Sequence, residues 1–481
     1  MVLILCDSPS FPIRALGPYR IAHALRQQGV SVEVVDYISR WPWEELLDYI
    51  SGLGPLAWVG FSSRFGYDSR EGNPPKGWIT ELSRSREQEL FEWFGSRGVT
   101  RVVGGPSSDI QRPRLVGSVE WIVKGYADTA VIALDRHIRD SQQPVSYTEW
   151  QELKVIDADR DYGDWDLANI ETEFVATDWV LQGEIFPVEI ARGCKFKCSF
   201  CNFNYTGKAP GTYIRPMASI ARDILHRWNN YGGRNFFFVD DTFNDSTEKM
   251  QALADLRRDL ATPWEFWAYC RLDLLRAQTA QQDLVEPLGW RSMTWGVETF
   301  NRASGSAVGK GADPIRLKQF IETARARWPD NQFMTHIIVG LPHDTEQTIK
   351  DTADWFIENS HLLDSVKFMA LMIYNNNDPL GRTHPQPMAN DPKAWGYDTT
   401  PTKHDGQAWI TLNWVKPGMT FRQAATIAQE QTARVHGGGH MNYRVSRRWP
   451  ETGPAPEMVL NYYLGGKRLL NRRRKSGNQD S

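Results

Sequence analysis

Three cysteines, Cys194, Cys198 and Cys201, fall in the stretch Cys194-Lys195-Phe196-Lys197-Cys198-Ser199-Phe200-Cys201. They directly follow an apolar, strand-like run, Phe186-Pro187-Val188-Glu189-Ile190-Ala191, and Arg192-Gly193 marks the turn out of it. Loops at strand ends are where α/β folds place their chemistry. Thiolates select soft metals, so three this close read first as a metal site. Structural zinc closes with four ligands, yet no other Cys or His lies within twenty residues on either side. A cluster held by three cysteines keeps one iron open to an outside ligand, which suits catalysis. Zinc and unligated thiols are the alternatives.

With the aromatic Phe200 just before the third cysteine, this Cys-x3-Cys-x2-Cys stretch resembles the radical S-adenosylmethionine (SAM) superfamily. Segments that follow in order resemble its cobalamin-binding branch, and the likeness covers most of residues 1–375. It implies that Cys194, Cys198 and Cys201 are catalytic and metal-ligating, holding a [4Fe-4S] cluster. The amino and carboxylate groups of SAM would chelate the fourth iron, and one electron would cleave SAM to a 5′-deoxyadenosyl radical.

The same resemblance assigns the later strand ends. Asp240-Asp241, after the apolar run Asn235–Val239, would accept hydrogen bonds from the SAM ammonium; a helix cap and turn is the alternative. Arg271, after Trp264–Tyr269, would hold the SAM carboxylate, against an ordinary salt bridge to Asp273 or Asp241. Glu298 lies in Gly296-Val297-Glu298-Thr299, which is similar to the family's Gly-x-Glu-Ser/Thr element near the ribose or methionyl part. A structural carboxylate is the alternative there. Lys310 matches a Gly-Lys common after this strand. The run Phe333–Val339, then Gly340-Leu341-Pro342-His343-Asp344-Thr345, resembles the fifth-strand element. It implies that the backbone there, with Ile338 and Val339, lies against adenine and that Gly340 is among the cofactor contacts, with Asp344 where Glu is usual. Phe200 completes the expected cofactor contacts. His336 and His343 are isolated and read as core or surface residues.

Elements must position these groups. From Met1 to about Arg139, short apolar runs alternate with helical patterns, the signature of a parallel sheet covered by helices. Strands are expected at Val2–Cys6, Ser31–Asp36, Ala57–Ser62, Arg101–Val103 and Trp121–Val123. Such a doubly wound sheet binds ligands at the carboxyl ends of its strands. The segment resembles the cobalamin-binding domain of the family through Gly17…Ala22…Leu25…Gly29, Gly104-Gly105-Pro106 and Lys124-Gly125-Tyr126-Ala127. Ser62, Ser63, Gly104 and Gly105 are the implied cofactor contacts. The loop after the first strand contains no His, so cobalamin would carry no axial His from the protein. A Rossmann-like domain without cofactor is the alternative.

The expected fold class is α/β. An N-terminal Rossmann-like (flavodoxin-like) cobalamin-binding domain spans 1–140 and a linker 141–183. A partial (β/α)6 TIM-type barrel spans 184–375, and a small C-terminal cap, 376–481, helps shape the substrate pocket. The basic tail, Lys467-Arg468 to Arg472-Arg473-Arg474-Lys475, reads as a solvated helix end.

Composition bounds the function. A chain of 481 residues with formal net charge -3 shows no bias toward nucleic acid or anionic membrane. No run of about 18 apolar residues occurs, so no spanning helix is expected. The N-terminus lacks the features of a signal peptide. Five cysteines, three clustered, do not make a disulfide framework. A reducing cytoplasm follows. The expected activity is cobalamin-dependent methyl transfer to an unactivated carbon, with a non-methylating rearrangement, cyclisation or oxidation as the second reading. A methylthiotransferase would need a second cysteine cluster, and an Fe–S binding protein would need no SAM pocket. The expected partners are a small-molecule or peptide substrate and an electron donor such as flavodoxin or ferredoxin.

Overall fold

Val2-Leu3-Ile4-Leu5 is apolar at every position, the pattern of a parallel strand covered on both faces. All four residues are buried in strand β1 (Val2–Leu5) of the computed structural model. The structure describes residues 1–7, 13–62, 81–105, 115–163, 167–203, 205–375, 384–404, 407–437 and 454–477. The chain forms two units. One is Met1–Pro187 with Arg222–Gly233 and Gly453–Ser481; the other is Val188–Ala221 with Arg234–Thr452.

In the first unit, β1 is joined by β2 (Val32–Val35), β3 (Trp58–Ser62), β4 (Thr100–Gly105), β5 (Trp121–Lys124), β6 (Thr148–Trp150) and β7 (Leu153–Asp157). The sheet order is β2-β1-β3-β4-β5-β7-β6, so the first five strands run in flavodoxin-like order. Every pairing is parallel except that of β6 with β7. Helices Leu16–Arg26, Trp43–Ser51, Glu81–Gly95 and Ala130–Arg139 connect the strands. In the second of these, Glu44 and Glu45 complement the dipole of the first turn while Leu46, Tyr49 and Ile50 are buried.

Two expectations change here. Residues 141–183, read as a linker, contribute the hairpin β6–β7 and extend the sheet. Its turn holds Gln151 at φ 53°, a left-handed position usually marked by Gly or Asn. The usual turn signal is therefore missing from the sequence. Beyond the hairpin, Glu184 pairs with Arg14 at 2.7 Å, both side chains fully buried.

The basic tail is the second change. Helix Pro456–Gly477 belongs to the first unit, not to a cap. Tyr463 is buried, and its Oη accepts the Asp36 N–H at 2.8 Å. Lys467 Nζ donates to Glu33 Oε1 at 2.5 Å and to the Val34 carbonyl at 2.8 Å, with its side chain fully buried. Arg468 pairs with Glu45 and Lys475 with Asp48. Lys467→Met leaves the Glu33 carboxylate buried, with Tyr49 Oη at 2.5 Å and Arg474 at 3.6 Å as remaining partners. Breaking a buried pair this way is expected to lower stability by roughly 3 kcal/mol, the low end for such pairs because Arg474 remains. Urea denaturation followed by circular dichroism measures it.

The second unit is built on β8 (Phe186–Glu189), β9 (Asn235–Val239), β10 (Glu265–Cys270), β11 (Trp290–Glu298), β12 (Gln332–Val339) and β13 (Ser365–Ala370). They lie in sequential order, with each neighbouring pair from β9 through β13 parallel. This is the expected open six-strand barrel. The edge strand β13 is covered by helix Phe421–Gly437, whose Thr432 Oγ1 accepts the Phe368 N–H at 3.0 Å. A three-stranded antiparallel sheet, β14 (Asp398–His404), β15 (Gln407–Lys416) and β16 (Met419–Thr420), follows the barrel. Trp414 from β15 donates its Nε1–H to the Leu371 carbonyl at 2.8 Å. Among the described residues no helix is long and apolar enough to cross a membrane.

Candidate active site

The cysteine loop leaves β8 and is pinned on several sides. Arg192 is buried against both carboxylate oxygens of Glu189 at 3.1 Å. A Cβ at position 193 would lie 2.7 Å from the Tyr213 ring, so only glycine fits that turn. The Cys194 N–H bonds the Tyr205 carbonyl and the Cys194 carbonyl accepts from Lys208 N–H. Ser199 N–H reaches the Val308 carbonyl, and Gln386 Nε2 donates to the Phe200 carbonyl at 2.8 Å. The half-buried Phe200 is thereby held through its backbone.

Each sulfur faces a donor. Cys201 Sγ accepts from Phe203 N–H at 3.5 Å, Cys198 Sγ lies 3.7 Å from Arg271 Nη1, and Cys194 is hydrogen-bonded by Phe196 N–H. Burial pushes the Cys194 thiol up and the Cys201 thiol up to about 12. Such thiols keep their protons until a metal displaces them. Among the described residues no three His, Cys, Asp or Glu side chains could hold a single metal ion. An iron–sulfur cube bonds each thiolate to a different iron, so its ligands need not converge. Donors on every sulfur and a loop of fixed backbone fit that group better than one zinc.

The structure separates the two aspartates that the sequence left undivided. Asp240 is buried in a triad: Lys249 Nζ lies 2.7 Å from it and 2.5 Å from Asp245, with all three side chains essentially unexposed. Burial raises the Asp240 carboxyl to about 7 despite the Lys249 charge. Asp241 is exposed, and its charge acts on both Cys194 and Cys201. Asp240 is therefore enclosed with Lys249, while the charge of Asp241 is felt at two of the thiols.

Arg271 combines both of its readings. Nε and Nη2 bind Asp273 at 3.0 and 2.7 Å, its guanidinium carbon lies 4.2 Å from the Phe196 ring centroid, and Nη1 reaches Cys198. Glu298 ends β11 at φ 65°, where the pairing with β12 is irregular. Such a backbone costs about 1 kcal/mol or more and marks a constrained position. Its carboxylate is 3.5 Å from Lys310 Nζ, which also donates to the Gly296 carbonyl at 2.9 Å. Burial raises this carboxyl above its ordinary range.

Ile338 is almost fully buried at the end of β12. Gly340 follows at φ 96°, and a Cβ there would meet the Trp414 ring at 2.4 Å. Its carbonyl accepts from Tyr397 Oη at 2.8 Å. In the first unit, Ser62 and Gly104 pair level across the ends of β3 and β4, and Gly105 stands at φ 118° opposite Lys124. Ser63 lies outside the described residues.

Residues 188–356 match the radical SAM superfamily. This chain carries a radical SAM domain. Two curated relatives extend the match. Bacteriochlorophyllide d C-8(2)-methyltransferase of Chlorobaculum tepidum is 23% identical over 238 residues, 48% of this chain and 51% of the relative. The ribosomal protein uS12 methylthiotransferase RimO of Thermotoga petrophila is 26% identical over 174 residues, 34% of this chain and 39% of the relative. The chain thus spans about half or less of the length of these curated relatives. Among solved structures, the radical SAM methyltransferase TsrM of Kitasatospora setae, with cobalamin and a [4Fe-4S] cluster bound, superposes with a TM-score of 0.66. It is 16% identical over 99% of each chain, so what it shows is the fold.

Within the radical SAM domain, one group escaped sequence reasoning. Lys249 occupies the buried face of helix Thr247–Asp259 beside Met250 and Leu253. A lysine in phase with an apolar helical stripe was the available signal. His336, read from the sequence as a core or surface residue, is half-buried on β12. Burial, then the Lys367 charge, lowers its pKa from 6.5 to about 4. The folded chain therefore binds fewer protons than the unfolded one between those values, and this group's contribution to stability rises with pH across that window. Its full contribution is present above pH 6.5 and is lost as pH falls toward 4. It amounts to at most about 3 kcal/mol. Buried carboxyls such as Asp344, raised to about 6, act in the opposite sense. The test is therefore the difference between wild type and His336→Leu in urea midpoints at several pH values.

Proposed function

We propose that this protein is a cobalamin-dependent radical SAM methyltransferase that modifies an unactivated carbon of a small-molecule or peptide substrate. The observation carrying the reading is the three-thiol loop, fixed in backbone and with an N–H donor at every sulfur. Cys194, Cys198 and Cys201 would hold the [4Fe-4S] cluster. Bound together, the cluster, SAM and cobalamin supply the radical and the methyl group. The chain's own residues orient these groups. Asp241 would accept hydrogen bonds from the SAM ammonium, and Arg271 joins the Cys198 sulfur to a network that includes Asp273. Glu298 and Lys310 offer paired polar groups beside Gly296. Phe200, Ile338 and Gly340 are assigned to the SAM site, with Asp240 next to Asp241 and held by Lys249.

Ser62, Gly104 and Gly105 would receive cobalamin at strand ends that present little side-chain bulk, with Ser63, outside the described residues, assigned alongside them. TsrM, with its bound cobalamin and, in a second structure, a tryptophan substrate and SAM analogue, supports the reading over the full length of the fold. The methyltransferase of Chlorobaculum tepidum supports methyl transfer as the outcome. An electron donor of the flavodoxin or ferredoxin class is required. A cytoplasmic location is consistent with the reduced thiols this chemistry needs.

A second reading keeps cobalamin but ends in a non-methylating step. Methylthio transfer is disfavoured, because Cys6 is the only cysteine before Cys194. Anaerobic reconstitution with iron, sulfide, hydroxocobalamin and methyl-labelled SAM separates these outcomes. Cobalamin retained with label arriving on cobalt supports methyl transfer. 5′-Deoxyadenosine formed without cobalamin uptake supports the second reading, and no SAM cleavage at all defeats both.

A further inference from the structure

The C-terminal helix Pro456–Gly477 has an outer face that its own unit does not use. Inward, Val459, Tyr463, Leu464 and Lys467 are buried. Outward, exposed positions 458, 462, 465, 469, 472 and 476 recur at alternating steps of four and three, the seam spacing of paired helices. The seam begins with Met458, Tyr462, Gly465 and Leu469; its three large side chains are 57%, 43% and 41% exposed. They are half of the exposed large apolar side chains among the described residues, gathered on one helix face rather than scattered singly.

Two adjacent glycines on this helix differ in what holds them. A Cβ at Gly466 would collide with the Trp179 ring, so packing within the chain requires glycine there. A Cβ at Gly465 meets nothing within 4 Å. Glycine in a helix interior costs about 1 kcal/mol relative to alanine, and among the described residues nothing offsets that cost at 465. A bare helix surface admits the close approach of another backbone.

The charges select the occupant. Glu457 lies eight residues before Gly465 and Arg473 eight residues after it, about 12 Å along the axis in each direction. Arg468 and Lys475 pair with Glu45 and Asp48, but neither Glu457 nor Arg473 has an ion-pair partner among the described residues. A second copy laid antiparallel, with a two-fold axis at Gly465, sets Glu457 level with Arg473 of the partner subunit, and the symmetry repeats the contact. A parallel arrangement would instead set like charges together at both ends, which repels.

We propose that this face is an interface between two copies of the chain, joined antiparallel through Met458, Tyr462 and Leu469 with Gly465 at the crossing. The interface is small, on the order of 1,000 Å² in total, the low end for specific association. The dimer therefore forms reversibly, with a Kd on the order of 10 μM.

The test is sedimentation velocity of the anaerobically reconstituted full-length protein over a concentration series that brackets this Kd. Wild type is expected to pass from monomer to dimer across the series, more readily at low salt. Gly465→Leu is the deciding variant. It fills open space, so the monomer keeps its fold and gains helix propensity. A crossing that needs glycine should lose at least about tenfold in affinity, whereas a lipid surface drawn to apolar area would bind this variant better. Glu457→Arg should weaken association about fivefold or more, since two ion pairs become two repulsions. Adding Arg473→Glu to it should restore association, which only the antiparallel arrangement allows. Circular dichroism reports that each variant is folded. A wild type that stays monomeric throughout, a dimer that survives Gly465→Leu, a double variant no better than the single, or capture by phosphatidylglycerol vesicles without self-association would each overturn the proposal.

Discussion

Cys198→Ala is expected to reduce SAM cleavage by about three orders of magnitude or more, a loss above about 4 kcal/mol in transition-state stabilisation. The backbone around Cys198 is held independently of its sulfur. Ser199 N–H bonds Val308, Cys201 N–H bonds the Cys198 carbonyl, and Gly309 packs 3.7 Å from the Cys198 Cα by its notional Cβ. Alanine therefore fits the loop, and the fold should survive. What disappears is one of three thiolates, and Arg271 loses the sulfur at 3.7 Å. Iron and sulfide content after anaerobic reconstitution should fall together with 5′-deoxyadenosine formation. Cys270→Ala supplies the contrast: that thiol is buried at the end of β10 and its loss should leave iron content near wild type. Full iron content and SAM cleavage in Cys198→Ala would sink the assignment of the cluster.

Lys249→Met is expected to be the most damaging substitution for stability, by roughly 3–5 kcal/mol. The methionine fills similar volume but leaves Asp240 and Asp245 enclosed without a cation. Burial pulls the Lys249 ammonium down, yet the two carboxylates outweigh it and the net shift is upward. Wild type therefore keeps this lysine charged. In the variant, two like charges in low dielectric cannot both remain ionised, so one carboxyl must take up a proton. Asp240→Asn added to Lys249→Met should recover part of the loss, because it removes one charge and keeps a polar group. Chemical denaturation of the two variants side by side measures this. Similar unfolding midpoints for wild type and Lys249→Met would show that the triad contributes little. The loop should also feel the change, since Asp245 accepts from Tyr213 Oη, and Tyr213 packs over Gly193 beside Cys194.

Much of the architecture was legible because it rests on short-range patterns. Continuous apolar runs such as Val2–Leu5 and Asn235–Val239 announce parallel strands whatever surrounds them. The cysteine spacing and the strand-end polar groups are likewise local. The hairpin β6–β7 was hidden because its turn uses Gln151 at positive φ, with neither Gly nor Asn as a signal. The basic tail was misread for a different reason. A run of Lys and Arg looks solvated until an acidic partner is known, and Glu33 and Lys467 lie 434 residues apart in sequence.

From its sequence alone, this chain was determined as an α/β protein with two parallel sheets and a three-thiol loop at a strand end. Residue type and spacing are sufficient for that, since hydrophobic periodicity and ligand chemistry act within a few residues. The tertiary structure alone decided which of two adjacent aspartates is enclosed by Lys249 and which acts on the thiols by its charge. It alone showed that Arg271 serves both a carboxylate and a sulfur, and that His336 and Lys367 are in register across β12 and β13. These are statements about distance and dielectric. Both depend on strands far apart in sequence arriving side by side, which no local pattern encodes.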